Sequence, residues 1–167
     1  HRDLHSFPTR RSSDLAPLLE PRLLGAQDIA ILAADGRAGV EVARRPVVGI
    51  LSTGSELAEP GSPLKAGQIY DSNRPQLLAQ LSGGLCEVKD LGSLRDDYDA
   101  TLATVRQALD SCDILILSGG VSMGDFDYVP RALSASGVET IFHGVAMKPG
   151  KPTFFGKAAR ADRKSVV

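Results

Sequence analysis

What this 167-residue chain has little of narrows its chemistry first. It has no surplus of either charge: 19 Lys and Arg stand against 20 Asp and Glu, a formal charge of −1. No basic footprint therefore points to nucleic acid. No apolar run approaches the roughly 20 residues of a membrane-spanning helix, so no membrane partner is expected. Only two cysteines occur, Cys86 and Cys112, and they form no CxxC. A disulfide scaffold is not expected, and a reducing cytoplasm is the expected location. Neither a GxGxxG nor a Walker A loop is present, which leaves a Rossmann dinucleotide site and a P-loop unsupported. There is no internal repeat. What remains, 43% hydrophobic and 23% charged residues, is the composition of a globular domain.

The chain organises into four parts. Residues 1–15, HRDLHSFPTRRSSDL, carry no helical or strand period and are expected to be non-native or disordered. Residues 16–46 form a connector from a truncated preceding domain. Within it Ile29, Leu32 and Ala33 have helical spacing that stops at Gly36, and Gly39–Pro46 alternates like a short strand. Residues 47–157 form an α/β domain, and residues 158–167 a tail expected to be non-native. In the domain VVGILS (Val47–Ser52) and DILILS (Asp113–Ser118) are nearly continuous apolar runs, as in parallel strands buried on both faces. LCEVKDLG (Leu85–Gly92), TIFHGVAM (Thr140–Met147) and TFFGK (Thr153–Lys157) read as further strands. Helices are expected after Ser72, over Asp96–Asp110 with Tyr98, Leu102, Val105 and Leu109 on one stripe, and from Tyr128. Strands alternating with helices predict a three-layer α/β/α fold with a mostly parallel sheet, its ligand sites beyond the carboxyl ends of the strands.

The loops at those ends carry the chemistry. STGSEL (Ser52–Leu57) offers the Thr53 hydroxyl, the backbone freedom of Gly54 and the carboxylate of Glu56, which could equally be a first-turn helix acid. In YDSNR, Asp71 is a candidate ligand, while Ser72 and Asn73 read as helix caps. In RDDYD, Asp96 is either functional or one of several acids gathered at a helix start. SGGVSMGDFD sets Ser118, Gly119 and Gly120 where backbone N–H groups can face an anion, with Ser122, Asp125 and Asp127 after them. KPGKP sets Lys148 and Lys151 at most about 10 Å apart, close enough to clamp a phosphate. Glycines and lysines suit phosphate, but a carboxylate about 5 Å from a phosphate oxygen repels it by roughly 3 kcal/mol at an effective dielectric of 20. A divalent cation reverses that sign, since magnesium takes one or two carboxylates together with substrate phosphates. The set points to chemistry on a phosphorylated or nucleotide-linked substrate. One competing motif, Gly120–Gly124, matches the G-x-S-x-G nucleophile elbow. Its Ser122 stands too far from the next helix for an elbow, and His143 falls inside a strand.

Taken in order, VVGILSTGSELAEPGSPLKAGQIYDSNR, LGSLRDD, DILILSGGVSMGDFDYV and FHGVAMKPGKPTFFGK resemble the molybdopterin molybdenumtransferases, the family that includes the C-terminal domain of gephyrin. The resemblance runs from about Leu24 to Lys157. It implies a molybdopterin-binding domain whose partners are adenylated molybdopterin and molybdate. Molybdenum enters the dithiolene, AMP leaves, and Mg2+ assists. By motif it implies catalytic roles for Glu56, Asp96 and Asp127, with Asp96 and Asp127 also holding metal. It implies substrate or cofactor binding by Thr53, Gly54, Asp71, Ser118, Gly119, Gly120, Ser122, Lys148 and Lys151. It further implies a homodimer in the full-length protein. Ser55 stands where relatives are often acidic, and Gly144 where some carry lysine. The family's Pro-Gly-Asn-Pro loop and C-terminal β domain are not in this sequence, so a fragment is expected. Molybdopterin adenylyltransferases, which use ATP, share the fold and are the nearest alternative. A non-catalytic binding module is another.

Overall fold

The structure is a computed structural model that describes residues 22–120 and 128–159. The chain divides into two compact units, His1–Val42 and Ala43–Val167. In the first, the described residues form one helix, α1 (Ala26–Ala34). Gly25 opens it with extended backbone, and its N–H donates to Asp28 Oδ2 at 2.9 Å. Asp28 also pairs with Arg22. The alternating stretch Gly39–Pro46 is not a strand. Alternation alone does not satisfy backbone N–H and C=O groups, which need a neighbouring strand, and Val40 and Val42 stand exposed instead.

The second unit is built around β1 (Val47–Thr53). Six successive residues, Val48 to Thr53, are buried. Side chains alternate along a strand, so burial at every position requires cover on both faces. Helix α2 (Asn73–Leu81) packs on β1 and β4 (Glu87–Leu94), and α3 (Tyr98–Ser111) packs on β5 (Ile114–Ser118). The sheet order is β4-β1-β5, with both pairings parallel. The α/β layering and parallel sheet follow the expectation from the apolar runs. Asp113 fixes the start of the sheet: its carboxylate accepts from the Val47 N–H at 2.8 Å and from Arg44.

The expected loop after β1 contains a short parallel pair, β2 (Leu57–Ala58) with β3 (Ile69–Tyr70). The last two strands depart further from expectation. β6 (Val138–His143) and β7 (Phe154–Ala158) pair antiparallel in a sheet of their own rather than extending the parallel one. The link between them is too short for the crossover that parallel neighbours need. The core lies where α3 meets α4 (Tyr128–Ala135): Val105, Val129, Ala132 and Leu133 are buried together. The predicted α3 stripe is this contact, with Tyr98, Leu102 and Leu109 packed around Val105.

One irregularity matters for the site. β4 pairs Ile50 with Asp90 but Ser52 with Ser93, so β4 holds one extra residue in that interval. Gly92 takes a φ of +78° there, which a side chain would resist. The bulge turns the end of β4 towards the loop that follows β1.

Candidate functional site

The loop after β1 is tied down at three points. The Gly54 N–H donates to Leu94 O at 2.9 Å, holding the loop to the end of β4. The Ser55 N–H donates to Asp96 Oδ2 at 3.0 Å, and the Asp96 N–H donates back to Ser55 Oγ at 3.1 Å. This reciprocal clasp joins two of the loops singled out in the sequence. Glu56 lies in a turn ahead of β2, not in the first turn of a helix. Its carboxylate folds over Gly54, where a Cβ would meet both oxygens at 2.7 Å. The helix-start reading does apply to Asp97, whose Oδ1 accepts from the Ala100 N–H at 2.8 Å and caps α3.

The two glycines after β5 have a packing reason as well as a binding one. Gly119 and Gly120 have φ of +92° and +65°. A Cβ on Gly119 would stand 2.1 Å from the Thr53 carbonyl oxygen, and one on Gly120 2.5 Å from Val129. The chain leaving β5 thus crosses the end of β1 at a separation that only glycine permits. Beneath this crossing the Thr53 hydroxyl is buried with no hydrogen-bond partner among the described residues. Burying a hydroxyl unpaired costs free energy, so such an atom at a strand end marks a place where a guest could complete the bonding.

An ion cluster around buried Arg74 and Asp71, reaching out to exposed Glu59 and Asp90, supports the start of α2. Arg74, 7% exposed, donates to Asp71 Oδ2 at 3.1 Å and Asp90 Oδ2 at 2.7 Å, and pairs with Glu59. Burial works against the guanidinium charge, but the bonds to Asp90 and Asp71 outweigh it and hold Arg74 more firmly protonated than usual. Asp71 Oδ1 also accepts from the Arg74 N–H at 3.1 Å. Asp71 therefore caps α2, whereas Ser72, expected to cap, makes no side-chain cap bond. Burial pushes the Asp71 carboxyl up. Bonds from the Arg74 N–H and side chain bring it below the ordinary carboxylate value, helped by the dipole of the nearby Ser52 hydroxyl, which falls outside strict hydrogen-bond geometry. Arg74 was not singled out in the sequence. The only signal was its position three residues after Asp71, a spacing shared by many surface pairs.

These elements enclose a small cleft of about 140 Å3 at the carboxyl ends of β1 and β5. Thr53, Glu56, Asp71, Ser118 and Gly119 all line it. So does Asn73, whose Nδ2 donates to Ser118 Oγ at 2.9 Å and joins α2 to β5. Asp96 does not line the cleft, and neither does Ser55, its partner in the clasp. Among the described residues no lysine or arginine lines it, while two carboxylates do. Lys148 and Lys151 stand exposed on the turn between β6 and β7 and do not line the cleft. Ser122, Asp125 and Asp127 lie outside the described residues. Among the described residues no group of three or more His, Cys, Asp or Glu could hold a metal ion. His143, the possible base of the elbow motif, packs edge-on against Phe154 at a centroid distance of 5.6 Å.

Hydroxyls, acids and paired glycines at the ends of parallel strands in a layered α/β domain define a class. Residues 49–167 match the family described as a probable molybdopterin binding domain, and the chain belongs to that family. It is similar to the molybdopterin molybdenumtransferase of Bacillus subtilis, 42% identical over 124 residues, which make up 74% of this chain and 29% of that protein. The molybdopterin molybdenumtransferase of Nostoc sp. is 44% identical over 129 residues, 77% of this chain and 30% of that protein. Among solved structures, the molybdopterin biosynthesis moea protein from Pyrococcus horikosii aligns with a TM-score of 0.65 at 36% identity. That alignment covers 80% of this chain and 32% of that one. The chain thus spans less than a third of the length of these relatives.

Proposed function

We propose that this chain is the substrate-binding part of a molybdopterin molybdenumtransferase, which inserts molybdate into adenylated molybdopterin with release of AMP. The observation that carries this reading is the cleft itself: Thr53, Glu56 and Ser118 converge on it, and relatives of that name share more than 40% identity with the chain. The unpaired Thr53 hydroxyl and the Ser118–Asn73 pair are donors suited to a phosphate or molybdate oxygen. Glu56, exposed above Gly54, can carry a proton to or from a molybdate oxygen.

The acids around the cleft bear on Mg2+. Asp96 spends Oδ2 on Ser55 and keeps Oδ1 for a cation, and Asp127 from the loop after β5 is the second ligand in this reading. One or two carboxylates plus substrate phosphate is the donor set magnesium favours. The ion, when bound, neutralises the phosphate charge that Glu56 and Asp71 would otherwise repel. Lys148 and Lys151 act in this reading at the outer end of the substrate, away from the cleft. The active protein is a cytoplasmic homodimer of the length of its relatives.

The test incubates the protein, expressed at the length of its relatives, with adenylated molybdopterin, molybdate and Mg2+. AMP release and molybdenum in the product are expected together, and both are lost in Glu56→Gln and Asp127→Asn. AMP release without molybdenum incorporation would refute the reading. ATP-dependent pyrophosphate release in its place would assign the chain to the adenylyltransferase step.

A further inference from the structure

The excursion of the chain between β1 and α2 is closed at its base by one side chain. Arg74 does not line the cleft, but it is buried and bonded to Asp71, which does. Its planar guanidinium fork is shared by three segments. Nε donates to Asp71 just past β3, Nη1 to Asp90 within β4, and Nη2 to Glu59 just past β2. Each of these segments leads to a group of the site. Glu59 follows Glu56 across β2, and the Glu56 carbonyl accepts from the Ile69 N–H at 2.9 Å, which ties β3 to the same base. Asp90 Oδ1 accepts from the Gly92 N–H at 2.9 Å, at the bulge that turns β4 towards the clasp of Asp96 with Ser55.

Folding does not call for all three bonds. The side chains of Glu59 and Asp90 are 58% and 43% exposed, and an ion pair with so exposed a partner contributes little to stability. The start of α2 needs only the bonds to Asp71. What the two outer bonds add is position. We propose that Arg74 is a positioning residue: by joining Asp71, Asp90 and Glu59 it sets the spacing between the loops that carry Glu56 and Asp96. A lysine could not replace it, because an ammonium is a point charge without a planar fork. The links run from Arg74 to Asp90 and from Asp90 to Gly92. Backbone then carries them to Leu94 and Asp96, which hold Gly54 and Ser55 directly ahead of Glu56. The inference rests on the activity proposed above only for what this placement serves, which is to bring the Glu56 carboxylate to the reacting oxygen.

The double variant Glu59→Gln with Asp90→Asn, made in the protein at the length of its relatives, tests it. A single amide oxygen at position 90 can serve Gly92 or Arg74 but not both. Hydrogen exchange at the Gly54 and Ser55 amides is expected to quicken about tenfold, with the β1 amides, which open only with the whole fold, unchanged. A cluster that merely stabilised the fold would quicken both sets together, and that result would overturn the proposal, as would unchanged exchange in both. The kcat for AMP release should fall about tenfold while KM for adenylated molybdopterin stays within about twofold, because the cluster bears on Glu56 and not on the hydroxyls of Thr53 and Ser118. A wild-type kcat would overturn it. If the unaltered protein releases no AMP, the activity reading fails and the exchange comparison decides the role of Arg74 alone. If the double variant does not fold, Glu59→Gln by itself is held to the same outcomes.

Discussion

Arg74 holds three carboxylates from three different segments, and its removal leaves Asp71 buried without its partner. Arg74→Met is expected to cost about 3 kcal/mol in urea unfolding, because breaking a buried ion pair from one side strands the other charge. Asp71 itself sets an acid limit. Its folded carboxyl titrates below the ordinary value of 3.8. Its contribution is therefore complete above about pH 4, where the unfolded carboxyl is ionised, and is lost as pH falls through the lower folded value. In Asp71→Asn, unfolding free energy measured from pH 6 down to pH 2 should fall less steeply than in the wild type. Gly120→Ala meets both a φ of +65° and Val129 at 2.5 Å, and should cost about 2 kcal/mol in the same measurement. Such contacts are not legible in sequence. Glycine after an apolar run shows that the backbone needs freedom, but not that Thr53 is what it passes.

The clasp between the β1 and β4 loops joins two elements that the sequence suggested separately. Asp96→Asn keeps an oxygen for the Ser55 N–H but removes the charge. Stability should change by less than about 0.5 kcal/mol, while the Mg2+-dependent turnover proposed above for the protein at the length of its relatives is lost. A variant that unfolds readily would make Asp96 a structural residue. A double-mutant cycle of Ser55→Ala with Asp96→Ala should give a coupling of about 0.5–1 kcal/mol. Strands β1 and β5 and the α3 stripe were legible because unbroken apolar runs and 3.6-residue spacing each have one stable solution. The antiparallel partnership of β6 and β7 was not, since a strand's composition does not name its neighbour. The alternation of Gly39–Pro46 misled for the same reason. The β4 bulge left no more trace than a glycine late in an expected strand, although it directs Asp96 towards Ser55.

At the scale of the whole molecule, the two thiols report on packing. Cys86 is half-buried, while Cys112 is buried, and a Cβ on Gly49 would stand 2.9 Å from its sulfur. In native protein an aromatic disulfide reagent should label one thiol quickly. The second should follow only at the rate of unfolding, and fast labelling of both would contradict the packing of β1 against Cys112. The cleft's lining carries a consequence for how its guest is held. With Glu56 and Asp71 on its wall and no basic side chain among the described lining residues, an anion and the cleft repel across a few ångströms. Sites that attract polyanions through lysine and arginine weaken as ionic strength rises. This one should behave oppositely when divalent ions are absent: monovalent salt shortens the Debye length from about 30 Å at 0.01 M to about 8 Å at 0.15 M and screens a repulsion rather than an attraction.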